Sequence, residues 1–476
     1  MNIKSPLIVF LAILTFLSCK KETNSLDDVY IGGQVVNPGS EYVIISKNDK
    51  DLDTLYLNEN NRFSGSLKNI EPGLYVFRHP PENQVMYLEP GDSALIWVNT
   101  LAFDESINFS GKGAYKSNFI TNIYLLNQKN NDLILSYYKV EPIEFAQKTD
   151  SIREVRLQEL DQLNQKKDLS EEFYQLAKTS IDYEYYDLRE RYALLIHKYQ
   201  REYIDKIPGD FHDYRENINF NDEQFQDYYV YLNLIDDYVR TISVEYCNEN
   251  NISRDSCSNL MSVENIKRRI LITDSLIQNK NIKNPFLEKL AAQGIIFSNN
   301  LEEIESILKL IEEINYEGNA LPDLKQMADI QGSLLPGNKI GELKLVHTNG
   351  ETVQLKNISK KPIITFHWSI KEQVHHKLAH KLITDLRFKY PEINFIGVNV
   401  DKGQNEIWKR VTKNNSYEPE FEYKLDTVRV KESLLKNYLN KMIFMNASGE
   451  IIKGDVQLNA PDLETIILEF ISQRNR

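Results

Sequence analysis

Pro362-Ile363-Ile364-Thr365-Phe366-His367-Trp368-Ser369-Ile370-Lys371-Glu372-Gln373 is the stretch on which the reading of this chain turns. Its first half is apolar, β-branched and too short for a buried helix, so it reads as a strand covered on both faces. Its second half becomes polar and leads into a helical pattern from Val374 to Lys389. A second apolar run follows at Ile393-Asn394-Phe395-Ile396-Gly397-Val398-Asn399-Val400. Strand, helix, strand at this spacing is a crossover unit that pairs two strands in parallel. Upstream, Leu343, Leu345, Val353 and Leu355 flank Asn349-Gly350, a strong hairpin signal. Downstream come a helix containing Trp408, a hairpin of Lys441–Met445 with Glu450–Lys453 across Ala447-Ser448-Gly449, and an amphipathic helix from Pro461 to Gln473. Leu334-Leu335-Pro336-Gly337-Asn338 reads as the linker that opens this α/β part.

The order of elements resembles the thioredoxin fold, in its TlpA-like envelope branch, over about 140 residues from Pro336 to the end. The matching pieces are Pro336-Gly337, Asn349-Gly350, Phe366 with Trp368, Tyr390-Pro391, Gly397-Val398-Asn399-Val400-Asp401 and Asn446-Ala447-Ser448-Gly449. The resemblance implies two cysteines spaced C-x-x-C after the first central strand, where a helix N-terminus lowers a thiol pKa. It also implies a cis-proline before the hairpin strand. Here Ser369 and Glu372 fall at the cysteine positions, and Asn440 of Tyr438-Leu439-Asn440-Lys441 falls at the proline. A serine hydroxyl cannot replace a thiolate in disulfide exchange, and no cysteine follows Cys257. The expectation is a non-catalytic module that binds an envelope protein. The alternative is a divergent component of a thiol-disulfide system, docking on cysteine-containing partners or using Cys247 and Cys257.

Four histidines, His367, His375, His376 and His380, crowd this region. His376 and His380, four apart, share a helix face and are the candidate metal ligands. At about 100° per residue, His375 falls on the side of Leu378, Leu382 and Leu386, and His376 and His380 turn away from it. Glu372 one turn earlier makes a surface row of three, an incomplete tetrahedral set. A solvated or packed histidine group is expected, with no resident metal and no cofactor. The sequence carries no phosphate-cradling glycine loop and no nucleophile elbow.

The N-terminus supplies an address. Lys4 and the run Leu7–Leu17 read as an export signal ending at Ser18, well short of the roughly 20 apolar residues of a membrane span. Leu17-Ser18-Cys19 resembles the lipobox of bacterial lipoproteins, which implies acylation of Cys19 and a short tether over 19–26. Lys20 in second place resembles lipoproteins sent to the outer membrane, with the face left open between periplasm and surface. In an oxidising compartment the remaining pair, Cys247 and Cys257, is expected to form a structural disulfide.

Between tether and linker lie two further segments. Residues 27–112 read as short strands at roughly 8- to 12-residue spacing, an antiparallel β-sandwich. The turn Leu88-Glu89-Pro90-Gly91-Asp92 and the closing Phe109-Ser110-Gly111-Lys112-Gly113 resemble a small β-domain that precedes thioredoxin-like domains in envelope lipoproteins. Residues 113–333 turn helical, as at Leu301, Ile304, Ile307, Leu308, Ile311 and Ile314 or Val263, Ile266, Ile270 and Ile277. Ser170 before Glu171 and Glu172 marks a helix start. Tyr185, Tyr192, Tyr199 and Tyr203 share one face, expected to pack between helices or to bind a partner, with Tyr183 and Tyr186 off that face. The whole is a multidomain α+β chain: β-sandwich, all-α region, and a thioredoxin-like domain over 334–476. With 56 basic against 69 acidic residues and a net charge of −13, it has no bulk affinity for nucleic acid. The 41% hydrophobic content excludes disordered and fibrous classes.

Overall fold

The computed structural model describes residues 28–473 apart from 49, 138, 251, 253–257, 341–342 and 426–437. The segment read as an export signal, Cys19 and Cys257 lie outside the described residues. Among the described residues no helix is long and apolar enough to cross a membrane.

The first part is a sandwich of two four-stranded sheets. One has the order β4 (Arg62–Leu67), β1 (Val29–Val36), β7 (Ser93–Asn99), β8 (Asn108–Ser110). The other has the order β3 (Lys50–Tyr56), β2 (Tyr42–Lys47), β5 (Gly73–His79), β6 (Glu82–Leu88). Alternate residues such as Ile31, Val43, Phe77, Met86 and Ile96 fill the space between them. The sandwich is not wholly antiparallel as expected: β1 runs parallel to β7, from Tyr30 opposite Ser93 to Val36 opposite Asn99. β1 runs unbroken through Gly32-Gly33. The reason for the pairing is steric, since a Cβ at Gly33 would lie 1.9 Å from the Ile96 carbonyl oxygen. Only glycine lets the two strands close there. A short helix, α1 (Phe103–Ser106), joins β7 to β8.

The helical region comprises α2 (Ala114–Tyr137), α3 (Pro142–Lys167), α4 (Glu171–Tyr199), α5 (Tyr229–Glu249), α6 (Val263–Leu276), α7 (Lys280–Ile296), α8 (Leu301–Glu313) and α9 (Leu321–Ser333). Ser170 caps α4 as expected, its hydroxyl accepting from the Phe173 amide. α2 and α4 pack on the β5–β6 side of the sandwich, α4 through Phe173 on Tyr87, and α3 and α5 pack on α4 in the same apolar cluster. The buried Lys116 ties the junction, its Nζ 2.5 Å from Glu89 and 2.7 Å from Asp92. The turn motif quoted above thus docks the sandwich on α2.

The tyrosine row packs inward against α3. Tyr192 stacks on Phe145 at 3.8 Å, and the Tyr185 hydroxyl donates to Asp150 at 2.7 Å. Tyr199 alone of the row is well exposed. Tyr183 and Tyr186, read as off the face, are themselves buried, because Tyr214, Phe225 and Tyr231 cover the opposite side of α4.

The last part is a seven-stranded sheet in the order β10 (Thr352–Gln354), β9 (Lys344–His347), β13 (Glu422–Leu425), β12 (Asn394–Asn399), β11 (Ile363–Trp368), β14 (Lys441–Met445), β15 (Ile451–Gln457). β11 and β12 are parallel and joined by α10 (Gln373–Lys389); β12 and β13 are parallel and joined by α11 (Asn405–Asn414). β14 and β15 form the expected antiparallel hairpin, and α12 (Leu463–Gln473) follows. The elements read from the sequence are all here; β13, which that reading did not include, is added between β12 and β9. Period-two alternation splits the central strands between two cores. Ile364, Phe366, Trp368, Phe395 and Phe444 face α10, α11 and α12. Ile363, Ile396, Val398, Ile443 and Met445 face the other way, into a core completed by α6, α7, α8 and α9. The helices upstream of the linker therefore form the second covering layer of this sheet.

Candidate functional site

The resemblance drawn from the sequence puts the expected cysteine positions in the turn where β11 ends and α10 begins. Trp368 closes the strand, and the chain turns through Ser369, Ile370, Lys371 and Glu372 into α10. Ser369 is buried and donates its hydroxyl to Asp401 Oδ1 at 2.5 Å. The other Asp401 oxygen accepts from the Ile370 amide at 2.7 Å and from Asn399 Nδ2 at 2.8 Å. One carboxylate, itself buried just after β12, thus fixes the whole turn with charge-assisted hydrogen bonds. Asn440 lies before β14, and its backbone carbonyl accepts from the Leu458 amide at 2.7 Å. Burial pushes the His375 pKa down, with Asn440 and Leu439 among the groups beside it. Among the described residues the one cis peptide is Pro80–Pro81, so Asn440 does not reproduce a cis-proline.

The start of α10 is also touched by the first domain. Gln373 Nε2 donates to Glu82 Oε1 at 2.8 Å, across 291 residues of sequence. Burial pushes the Glu82 pKa up, helped by Asp104 and Glu372 and opposed by Lys377. The sandwich edge beside β6 therefore flanks this turn.

Beneath that turn lies a polar network which the sequence reading placed on the wrong face of α10. His376 and His380 are buried together with Ala379, Ile383 and Leu386, whereas Val374, Leu378 and Phe388 project at 73%, 62% and 90% exposure. The two inward histidines each find a partner: Glu422, fully buried at the start of β13, for His380, and Tyr417 for His376. Glu422 Oε2 accepts from Trp368 Nε1 at 2.9 Å, and Oε1 lies 3.2 Å from His380 Nε2. His380 Nδ1 is 2.6 Å from the His376 carbonyl, which can only accept, so that nitrogen carries a proton. His376 Nδ1 is 2.5 Å from the Tyr417 hydroxyl, and the Tyr417 ring stacks on His380 at 3.5 Å. Burial, then the neighbouring His380 and Lys377, push His376 down to about 4. Gly397 makes room for the carboxylate: a Cβ there would lie 2.5 Å from Glu422 Oε2.

The four histidines do not converge. His367 faces the opposite layer, its Nδ1 2.7 Å from the Lys441 carbonyl and its pKa pushed down to about 4 by burial. No group of three or more His, Cys, Asp or Glu able to hold a metal ion occurs among the described residues. Outside the network, Lys377, Lys381, Arg387, His380 and Tyr417 line a cleft of about 280 Å³.

Sequence reasoning missed Lys441. It reads as the polar first residue of a strand, yet it is fully buried, its Nζ 2.5 Å from both the Ile296 carbonyl and Gln331 Oε1. It also missed Glu190, buried in α4 and bonded to Arg215 at 2.8 Å, with Arg215 also 3.0 Å from Glu245. No sequence signal marks such pairs, because their partners come from distant elements. Cys247 is buried near the end of α5, and its expected partner Cys257 lies outside the described residues.

No family model matches the chain, and no curated protein does. Solved structures do, over part of its length. One is the thioredoxin domain of a thiol-disulfide oxidoreductase from Bacteroides vulgatus, 18% identical over 29% of this chain and 99% of that one, with a TM-score of 0.22. Another is a thiol:disulfide interchange protein from Bacteroides sp., 19% identical over 29% of this chain and 92% of the other, TM-score 0.22. A third is a domain of a possible thiol-disulfide isomerase from Cytophaga hutchinsonii ATCC 33406, 15% identical over 30% and 97%, TM-score 0.25. Over less than a third of its length, then, the chain is similar to thioredoxin-like thiol-disulfide oxidoreductases, and the likeness is one of fold.

Proposed function

We propose that this chain is a cell-envelope lipoprotein, anchored in the outer membrane through acylated Cys19, whose thioredoxin-like domain binds an envelope protein and catalyses no disulfide exchange. The observation that carries the reading is Ser369: it occupies the reactive position, it is buried, and its hydroxyl is committed to Asp401. A thiolate needs access and an electropositive site to attack a disulfide, and this position offers neither sulfur nor access. The exposed Val374, Leu378 and Phe388 on α10 support the binding role, as apolar surface on an otherwise charged chain. The Cys247–Cys257 bridge belongs to the same reading as a structural staple; the burial of Cys247 supports it and argues against an exchange-competent pair. The metal alternative at His376 and His380 loses ground to their engagement with Tyr417 and Glu422.

The test uses the chain from Lys20 onward. It is expected to leave insulin disulfides intact, and to retain one envelope protein that Leu378→Glu with Phe388→Glu releases. Insulin reduction abolished by Cys247→Ser would sink the proposal in favour of a divergent exchange component. Labelled palmitate incorporation, lost on Cys19→Ala, tests the anchor separately.

A further inference from the structure

Along the outer side of α10, unpaired charge and apolar surface meet. The cleft of about 280 Å³ beside this helix is lined by Lys377, Lys381, Thr384 and Arg387 of α10 and by Tyr417 and Glu418, which follow α11. Glu418 is the one carboxylate among its lining residues, and it is already engaged, 3.5 Å from Arg387 Nη1. Arg387 is itself tied down, its Nη2 donating to the Phe395 carbonyl at 2.7 Å. Lys377 and Lys381 are exposed, and neither forms a salt bridge with any described residue.

The surrounding acids leave that pair free. Glu82 of β6 senses Lys377, and Glu420 and the buried Glu422 act on Arg387, from beyond salt-bridge reach of either lysine. Asp385, one turn past Lys381, is the acid that bounds the pair along the helix. At about 100° per residue, Lys377, Lys381 and Phe388 fall in one narrow strip of α10. Thr384 and Arg387 lie on its cleft side, and Val374 and Leu378 on the other. Two lysines without a carboxylate thus stand between a cleft and the exposed apolar residues Val374, Leu378 and Phe388.

We propose that this face binds an acidic segment of a protein partner, with carboxylates on Lys377 and Lys381 and an apolar side chain against Leu378 and Phe388. Charge complementarity carries the choice. The chain as a whole has a net charge of −13 and repels acidic polypeptide, so a local cationic face has to hold one. A free phosphate or small carboxylate would use the cleft and leave the apolar residues idle. A bilayer is flat, whereas both lysines line a concave cleft that they share with Glu418. The inference rests on the reading of α10 as a docking surface and adds the chemistry its partner must present.

Random dodecapeptides displayed on phage are selected on the immobilised chain from Lys20 to Arg476. The selected pool is expected to be rich in Asp and Glu beside an aromatic or aliphatic residue. A synthetic peptide of that consensus should bind about tenfold more weakly to Lys377→Glu with Lys381→Glu, and likewise to Leu378→Ala with Phe388→Ala, at unchanged circular dichroism. Raising the salt from about 0.1 M to about 1 M, which shortens the screening length from about 10 Å to about 3 Å, should weaken it as well. A pool without acidic bias, or a peptide indifferent to the lysine pair, overturns the proposal. A peptide indifferent to the apolar pair overturns it too, and leaves a cleft for small anions. Binding to phosphatidylglycerol vesicles with no peptide selected overturns it by assigning the face to a membrane. The docking surface fails or stands separately: an envelope protein released by Leu378→Glu with Phe388→Glu but retained by Lys377→Glu with Lys381→Glu would keep that reading and sink this one.

Discussion

Replacing Lys441 by methionine should change how the stability of the C-terminal part depends on pH. The ammonium is fully buried, and burial pushes its pKa from 10.5 down to about 7, with Asp455 opposing. The folded pKa is depressed for a base, so the folded state favours the neutral amine. Above about pH 10.5 both states are neutral and the group contributes nothing. Between 10.5 and 7 the unfolded chain holds a proton that the folded chain has released, so stability falls by about 1.4 kcal/mol for each unit of falling pH. Below 7 both states are protonated and the full penalty, about 5 kcal/mol, is present. Between pH 9 and pH 6 the wild type should therefore lose about 2–3 kcal/mol relative to Lys441→Met. His367, the nearest other titrating neighbour, has its pKa pushed down to about 4 and is silent in this window. Methionine leaves the Ile296 carbonyl and Gln331 Oε1 without their donor, a cost of about 1–3 kcal/mol each that does not vary with pH. Denaturant unfolding followed by the fluorescence of Trp368 and Trp408, both in this part of the fold, measures the difference. Parallel stability curves for the two proteins from pH 6 to pH 9 would refute the assignment of a buried, neutral-leaning lysine.

Gly397→Ala places a methyl within 2.5 Å of Glu422, so it should lower the midpoint of the same unfolding transition by an amount worth about 2–4 kcal/mol. Arg215→Met leaves Glu190 buried without its guanidinium, with an expected loss of about 3–5 kcal/mol in thermal or denaturant unfolding of the helical region. Restoring sulfur with Ser369→Cys and Glu372→Cys should still give no insulin reduction above background. The turn stays buried against Asp401, and the resemblance expects a proline where Asn440 stands.

Most strands of the C-terminal part were legible because buried β-branched runs, Asn349-Gly350 and the Ala447-Ser448-Gly449 turn act locally; β13, the four residues Glu422–Leu425, carries no such signal and was not read. The facing of α10 was not legible either. Periodicity assigned the interior to Leu378, Leu382 and Leu386 and turned His376 and His380 outward because histidine was counted as polar; Leu386 is buried and Leu382 partly so, but Leu378 is exposed and both histidines are buried, His380 against the Glu422 carboxylate. That carboxylate is 42 residues away from His380 and announces itself nowhere in the helix. The parallel pairing of β1 with β7 was hidden for the same reason: spacing of turns predicts strands, but which strands lie side by side depended here on a single glycine contact. The α8 stripe, by contrast, was read correctly at Ile304, Ile307 and Ile311, because a helix packed on an apolar layer needs nothing but period.

The sheet that resembles thioredoxin has its second wall supplied by residues that do not resemble it. A recombination event that carried only Pro336 onward into another gene would deliver a sheet with Ile363, Ile396, Val398, Ile443 and Met445 open to water and Lys441 stripped of both its acceptors. Such a fragment would aggregate rather than serve as a portable module. The heritable piece is longer than the recognisable one, and it begins upstream of α6. Substitutions in α7 or α9, far from any motif, are thereby placed under the same selection as those in the central strands.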